Sequence, residues 1–114
     1  MASQPSVPIV SGFDLTDEFQ DIFLVPTDVS RISIDAAVFN NYTSSNVKIT
    51  VRIAQTTTSD IFDEIITLRE IRALENFLSP ALVGQAIFSG GVIQAKADTN
   101  SAVNCNITAT KITT

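Results

Sequence analysis

The sequence has no histidine and no tryptophan, and only one cysteine and one tyrosine. Without histidine there is no Ser-His-Asp or Cys-His catalysis and no His-bearing zinc site. A lone Cys105 rules out both an internal disulfide and a four-cysteine zinc site. Without tryptophan, and with Tyr42 the one tyrosine, the aromatic platform of most sugar-cleaving clefts is missing. Charge is scarce too: 17% of residues are ionic, net −5, with seven scattered basic residues. Nucleic-acid binders displace counterions with clustered Lys and Arg. Here Arg69 and Arg72 stand beside Glu70 and Glu75, so no direct nucleic-acid partner and no anionic membrane surface is expected. No apolar run approaches the ~20 residues of a bilayer span. Met1-Ala2-Ser3-Gln4-Pro5 has neither the basic nor the apolar region of a secretory signal. There is no P-loop and no Gly-x-Gly-x-x-Gly, and Gly90-Gly91 reads as a tight turn.

What the chain has is alternation. Ile32, Ile34, Ala36 and Val38 are expected inward, with Arg31, Ser33, Asp35 and Ala37 outward. After Asn40-Asn41-Tyr42-Thr43-Ser44-Ser45-Asn46 the pattern resumes with Val47, Ile49, Val51 and Ile53 inward and Lys48, Thr50 and Arg52 outward. Period two buries one face of a sheet, and two such runs around turn formers predict a hairpin, about 29–39 with 47–55. A closing hairpin is expected as well. Ile93, Ala95 and Ala97 alternate with Gln94 and Lys96, Asp98–Ser101 turns, and Val103, Cys105, Ile107 and Ala109 oppose Asn104, Asn106, Thr108 and Thr110. In that pattern Cys105 is a small core residue rather than a nucleophile.

Other segments fill in the outline. Residues 1–12, with Pro5, Pro8, Val7, Ile9 and Val10, predict an extended apolar arm, and 13–114 a single domain. Phe19, Phe23 and Val25 are spaced for one strand face before the Pro26-Thr27-Asp28 turn. In 60–78, Ile61, Ile65, Leu68, Leu74 and Leu78 favour a helix by a small margin on periodicity alone. Ser79-Pro80 through Gly84 predicts a short helical turn capped by Ser79, with a short strand near 85–88. Seven to eight short strands with a turn every ~10 residues make an all-β, antiparallel, jelly-roll-like sandwich.

Carboxylates are the remaining chemistry. Asp14, Asp17, Glu18 and Asp21 cluster early, and Asp60, Asp63 and Glu64 in the middle. Paired acids hydrolyse glycosides and clustered ones hold calcium, but neither group has a regular Asp-x-Asp-x-Asp-Gly spacing. They read as acids that solvate loops and oppose edge-to-edge pairing. No enzyme activity, catalytic residue, metal or cofactor is expected, and a carbohydrate- or calcium-binding sandwich is kept as a second alternative.

The order of several short pieces adds to this. Phe23-Leu24-Val25-Pro26 is followed by the Asn40-Asn41-Tyr42-Thr43 turn. Ser79-Pro80-Ala81-Leu82-Val83-Gly84-Gln85 and Gly90-Gly91-Val92-Ile93-Gln94-Ala95-Lys96-Ala97 come next, and Asn104-Cys105-Asn106-Ile107-Thr108-Ala109-Thr110 closes the series. Over most of 19–112 this resembles the small β-sandwich virion proteins of tailed bacteriophages. The resemblance implies a non-enzymatic virion component, assembled in the host bacterial cytoplasm, and extended structure over 60–78. A capsid decoration (cement) protein is the leading expectation, and a tail, neck or baseplate part the alternative. The partners would be the major capsid protein or tail and neck proteins. Val7, Ile9 and Val10 of the arm and Asn104, Asn106, Thr108 and Thr110 of the last strand are the candidate partner contacts. The arm and a flat neutral sheet also suggest a closed homo-oligomer, a trimer first.

Overall fold

The computed structural model describes residues 6–54 and 64–113. Among them are nine strands: β1 Ser6–Asp14, β2 Gln20–Leu24, β3 Arg31–Asn41, β4 Val47–Ala54, β5 Glu64–Ile71, β6 Asn76–Leu78, β7 Ala86–Phe88, β8 Val92–Ala97 and β9 Val103–Ile112. One sheet runs β1-β9-β3, with β6 and β7 paired end to end along the other side of β3; the other runs β2-β8-β4-β5. Every pairing is antiparallel. If β6 and β7 are taken as one interrupted strand, eight strands form two four-stranded sheets, the jelly-roll arrangement. The all-β antiparallel sandwich expected from the alternation is therefore the observed fold.

Its core is the inner faces of both sheets, with Ile32, Ile34, Phe39, Ile49, Val51, Ile53, Ile87, Ile93, Val103, Cys105 and Ile107 all buried. Phe39 meets Phe77 at a centroid distance of 6.5 Å. One expectation about β3 fails at its midpoint. A bulge between Ile34 and Ala36 adds a residue, and the parity flips. Ala37, Phe39 and Asn41 then point inward, while Ala36 and Val38 are only half-buried on the outer face. A one-residue slip sends every later side chain to the opposite face.

Neither predicted hairpin forms. β3 and β4 lie in different sheets, as do β8 and β9, so each link crosses the sandwich instead of turning within a sheet. Alternation reports which face is dry, and both sheets share the same dry interior, so it does not report which sheet a strand joins. The β3–β4 crossing is organised by Asn41, which is buried. Its carboxamide donates to the carbonyls of Ser45 (2.9 Å), Ile71 (3.1 Å) and Arg72 (3.1 Å). Its oxygen accepts from the Thr43 amide (2.9 Å) and hydroxyl (2.8 Å). Gly90-Gly91 is likewise a crossing, from β7 to β8. A Cβ on Gly91 would stand 2.5 Å from the Ile87 side chain and 2.9 Å from the Phe88 carbonyl, so only glycine fits.

Three further expectations are corrected. From Ser6 onward the N-terminal arm is β1, an edge strand on β9 of the same chain, and Val10 is buried in the core. The trimer inferred from a free apolar arm loses that support. Residues 64–71 and 76–78 are extended, as the resemblance implied and against the helical periodicity, while 60–63 fall outside the described residues. Residues 80–84 form hydrogen-bonded turns without a helix, ending at Gly84 with φ +87°. Ser79 does not cap them; its buried hydroxyl meets that of Thr67 at 2.9 Å, tying β5 to the opposite sheet.

Candidate functional site

The outer face of the five-stranded sheet carries most of the predicted contact residues. Asn104, Asn106, Thr108 and Thr110 alternate along β9 and are half-buried there. Three of them are engaged within the sheet. Asn40 on β3 donates its amide to Asn104 Oδ1 at 2.9 Å. Asn106 Oδ1 accepts the Gly12 amide at 2.9 Å, where β1 breaks register. Thr110 donates to Asp35 Oδ2 at 2.8 Å, and Ser6 on β1 donates to the same oxygen at 2.7 Å. These two hydroxyls hold the Asp35 carboxyl below its ordinary value, because hydrogen bonds to the charged form favour it. The β9 ladder thus stitches β1, β9 and β3 together. Of the arm residues, Val10 is buried, Ile9 packs against the core and Val7 is half-buried opposite Ala109.

The surface that stands out is across β3 from this ladder, along the β6–β7 edge of the sheet. Leu78 on β6, Val83 in the turns and Phe88 on β7 are 66%, 50% and 53% exposed. They follow one another down β3, since Leu78 pairs with Val38, Gly84 bonds to Ile34, and Phe88 pairs with Arg31. Between them lies a mostly apolar hollow of about 230 Å³, lined by Asp35, Ala36, Leu78, Pro80 and Val83 among others. Sequence reasoning missed this column. Helical periodicity groups Leu78 with Leu68 and Leu74, yet all three face water. The available signal was parity: in β6, Phe77 turns inward, so its neighbour Leu78 must turn out.

The rest of the surface holds little reactive chemistry. On the outer face of the second sheet, the Arg52 guanidinium lies 3.6 Å from the Phe19 ring centroid and Lys96 Nζ 4.8 Å from it. Arg52 also donates to Gln94 Oε1 at 3.0 Å, and Gln94 donates to Asp21. At one end of the sandwich Leu74 is exposed with φ +61°, and its amide bonds to the Thr43 carbonyl at 3.1 Å. Burial pushes the Cys105 thiol up to about 12, so it stays protonated at neutral pH. Among the described residues no three acidic, histidine or cysteine side chains gather to hold a metal ion. The Asp14–Asp21 acids are dispersed: Asp14 stands opposite Asn104, the Asp17 amide bonds to Asn100, and Asp21 holds Gln94. Asp60 and Asp63 fall outside the described residues. No helix among the described residues is long and apolar enough to cross a membrane.

No family model and no curated protein matches the sequence. Among solved structures, a chain of the T13 IBDV viral particle superposes with a TM-score of 0.59 over 98% of this chain. The likeness is one of fold. Identity is 8%, and this chain spans about a third (32%) of that one.

Proposed function

We propose that this chain is a non-enzymatic structural protein of a virion, working by burying surface against other virion proteins. The observation that carries the reading is the match of nearly the whole chain, 98% of it, to a chain of an icosahedral viral particle. Jelly rolls also serve lectins and cupins, so the surface has to supply the rest of the argument. Here it supplies an exposed apolar column and a buried, protonated thiol, with no gathered acids among the described residues. Contiguous exposed apolar surface of this kind marks contact with another macromolecule. Within that reading the resemblance to tailed-phage sandwich proteins favours a bacteriophage particle and a decoration role on the head. A cement protein of this shape would add apolar contact across neighbouring capsomers and so resist expansion by packaged DNA.

The test is quantitative mass spectrometry of purified particles. The expected result is this chain at a copy number that scales with the head lattice. A copy number matching a single ring assigns it to the tail, neck or baseplate instead. Absence from the particle removes the virion reading altogether.

A further inference from the structure

We propose that two copies of this chain pair face to face over β3 and the β6–β7 edge of its sheet, Phe88 of each seated in the hollow beside Leu78 and Val83 of the other. Three observations lead there. Three of the seven exposed large apolar residues, Leu78, Val83 and Phe88, lie in one column beside β3. The column holds a half-exposed aromatic ring, Phe88, at one end and an apolar hollow of about 230 Å³ further along. Charge follows the same order: Arg31 is the register partner of Phe88, and Asp35 lines the hollow.

Arg31 ahead of the bulge and Asp35 in it are both exposed on β3, with Ile32 and Ile34 inward between them. Four residues of strand separate them by ~13 Å at ~3.3 Å per residue. A two-fold axis lying in the contact plane and crossing β3 near Ser33 exchanges positions 31 and 35. Arg31 of one copy then faces Asp35 of the other, twice over, while each Phe88 meets the opposite hollow. Asp35 is suited to this because both hydroxyls take Oδ2, and Oδ1 is left as the acceptor for a guanidinium. The occupant is a second copy because the chain itself carries a ring, an apolar hollow and the opposite charges in reverse order, as an isologous contact requires. An aromatic anchor in a pocket with an arginine beside it is also the composition that dominates interface energetics. The pairing holds whether or not the chain belongs to a virion, so its test stands apart from the particle measurement.

The test is sedimentation of the full chain from ~1 µM to ~1 mM, the range that brackets weak and moderate dimers. The wild type should rise from 12.3 kDa toward twice that mass. Phe88→Ser, at a half-exposed surface ring, should weaken association by roughly tenfold or more with the far-ultraviolet circular-dichroism spectrum unchanged. Arg31→Asp and Asp35→Lys should each weaken it alone, since each places like charges opposite one another. Mixed, the two variants should associate with each other, because both cross-pairs become complementary. A wild type that remains at 12.3 kDa throughout overturns the proposal, and leaves the column to a different protein. So does a dimer indifferent to Phe88→Ser. If Asp35→Lys does not fold, the Phe88→Ser comparison decides alone.

Discussion

Replacing Asn41 with alanine should destabilise this protein more than any other exchange of a polar residue on β3. The side chain is 3% exposed and makes five hydrogen bonds that link the β3–β4 crossing to the end of β5. Truncation strips a partner from the Ile71 carbonyl and from the Thr43 amide, while the Thr43 hydroxyl keeps its bond to the Ser45 carbonyl at 3.0 Å. The Ile71 carbonyl is buried with its partner, while the Ser45 carbonyl keeps the Thr43 hydroxyl and the Arg72 carbonyl keeps the Glu75 amide at 3.0 Å. One buried unsatisfied group costs about 1–3 kcal/mol, and the part-buried Thr43 amide adds less. A total of roughly 2–4 kcal/mol follows, a large share of the ~5–15 kcal/mol that holds a typical domain together. At about 4 °C per kcal/mol for a domain of this size, the melting temperature should fall by roughly 10–15 °C. The assay is urea unfolding followed by circular dichroism, with the slope m checked to be unchanged. Asn40→Ala is the internal control. Its amide bonds only to Asn104 on the wet face, and its loss should cost ~1 kcal/mol or less. If Asn41→Ala lost less than ~0.5 kcal/mol, or if the two neighbours behaved alike, the assignment of Asn41 as the organiser of the crossing would be wrong.

Three other outcomes follow from the same contacts. Gly91→Ala should cost about 1–3 kcal/mol in the same unfolding assay, because its Cβ would stand 2.5 Å from Ile87. The Cys105 thiol, held near 12 by burial, should resist iodoacetamide at pH 8 in the folded protein and react on unfolding; rapid labelling under native conditions would contradict its place in the core. Asp35 has its folded pKa depressed by Ser6 and Thr110, so its stabilising effect is present above the ordinary value of 3.8 and lost as pH falls through the lower folded value. Asp35→Asn should therefore flatten the acid limb of the stability profile below pH 4, and β1 amides should then exchange faster than those of β3.

How far the fold was legible depended on what a period of two encodes. It gave the strands and most inward residues, such as Ile32, Ile49, Ile53, Ile93 and Ile107, because burial on one face is a local property of the chain. It did not give the sheet each strand joins, because Val47 and Phe39 face one shared core from opposite sides. The bulge before Ala36 was invisible since Ala36 and Ala37 are identical residues, and either satisfies the pattern. In the 64–78 segment, Leu68, Leu74 and Leu78 misled because apolar residues were read as buried, and here they are displayed. The candidate contacts on β9 lie on the expected outer face, but Asn104, Asn106 and Thr110 are engaged by one another and by the neighbouring strands. The apolar column could emerge only once β6, the turns and β7 had been laid along β3.

Whether the molecule acts through the surface it presents is tested most directly by a cryo-electron microscopy map of the intact particle. The expected result is density for this jelly roll on the particle, with the Leu78–Val83–Phe88 edge buried against a neighbour. A particle that lacks the chain, or one in which it sits with that edge facing solvent, would contradict the proposal.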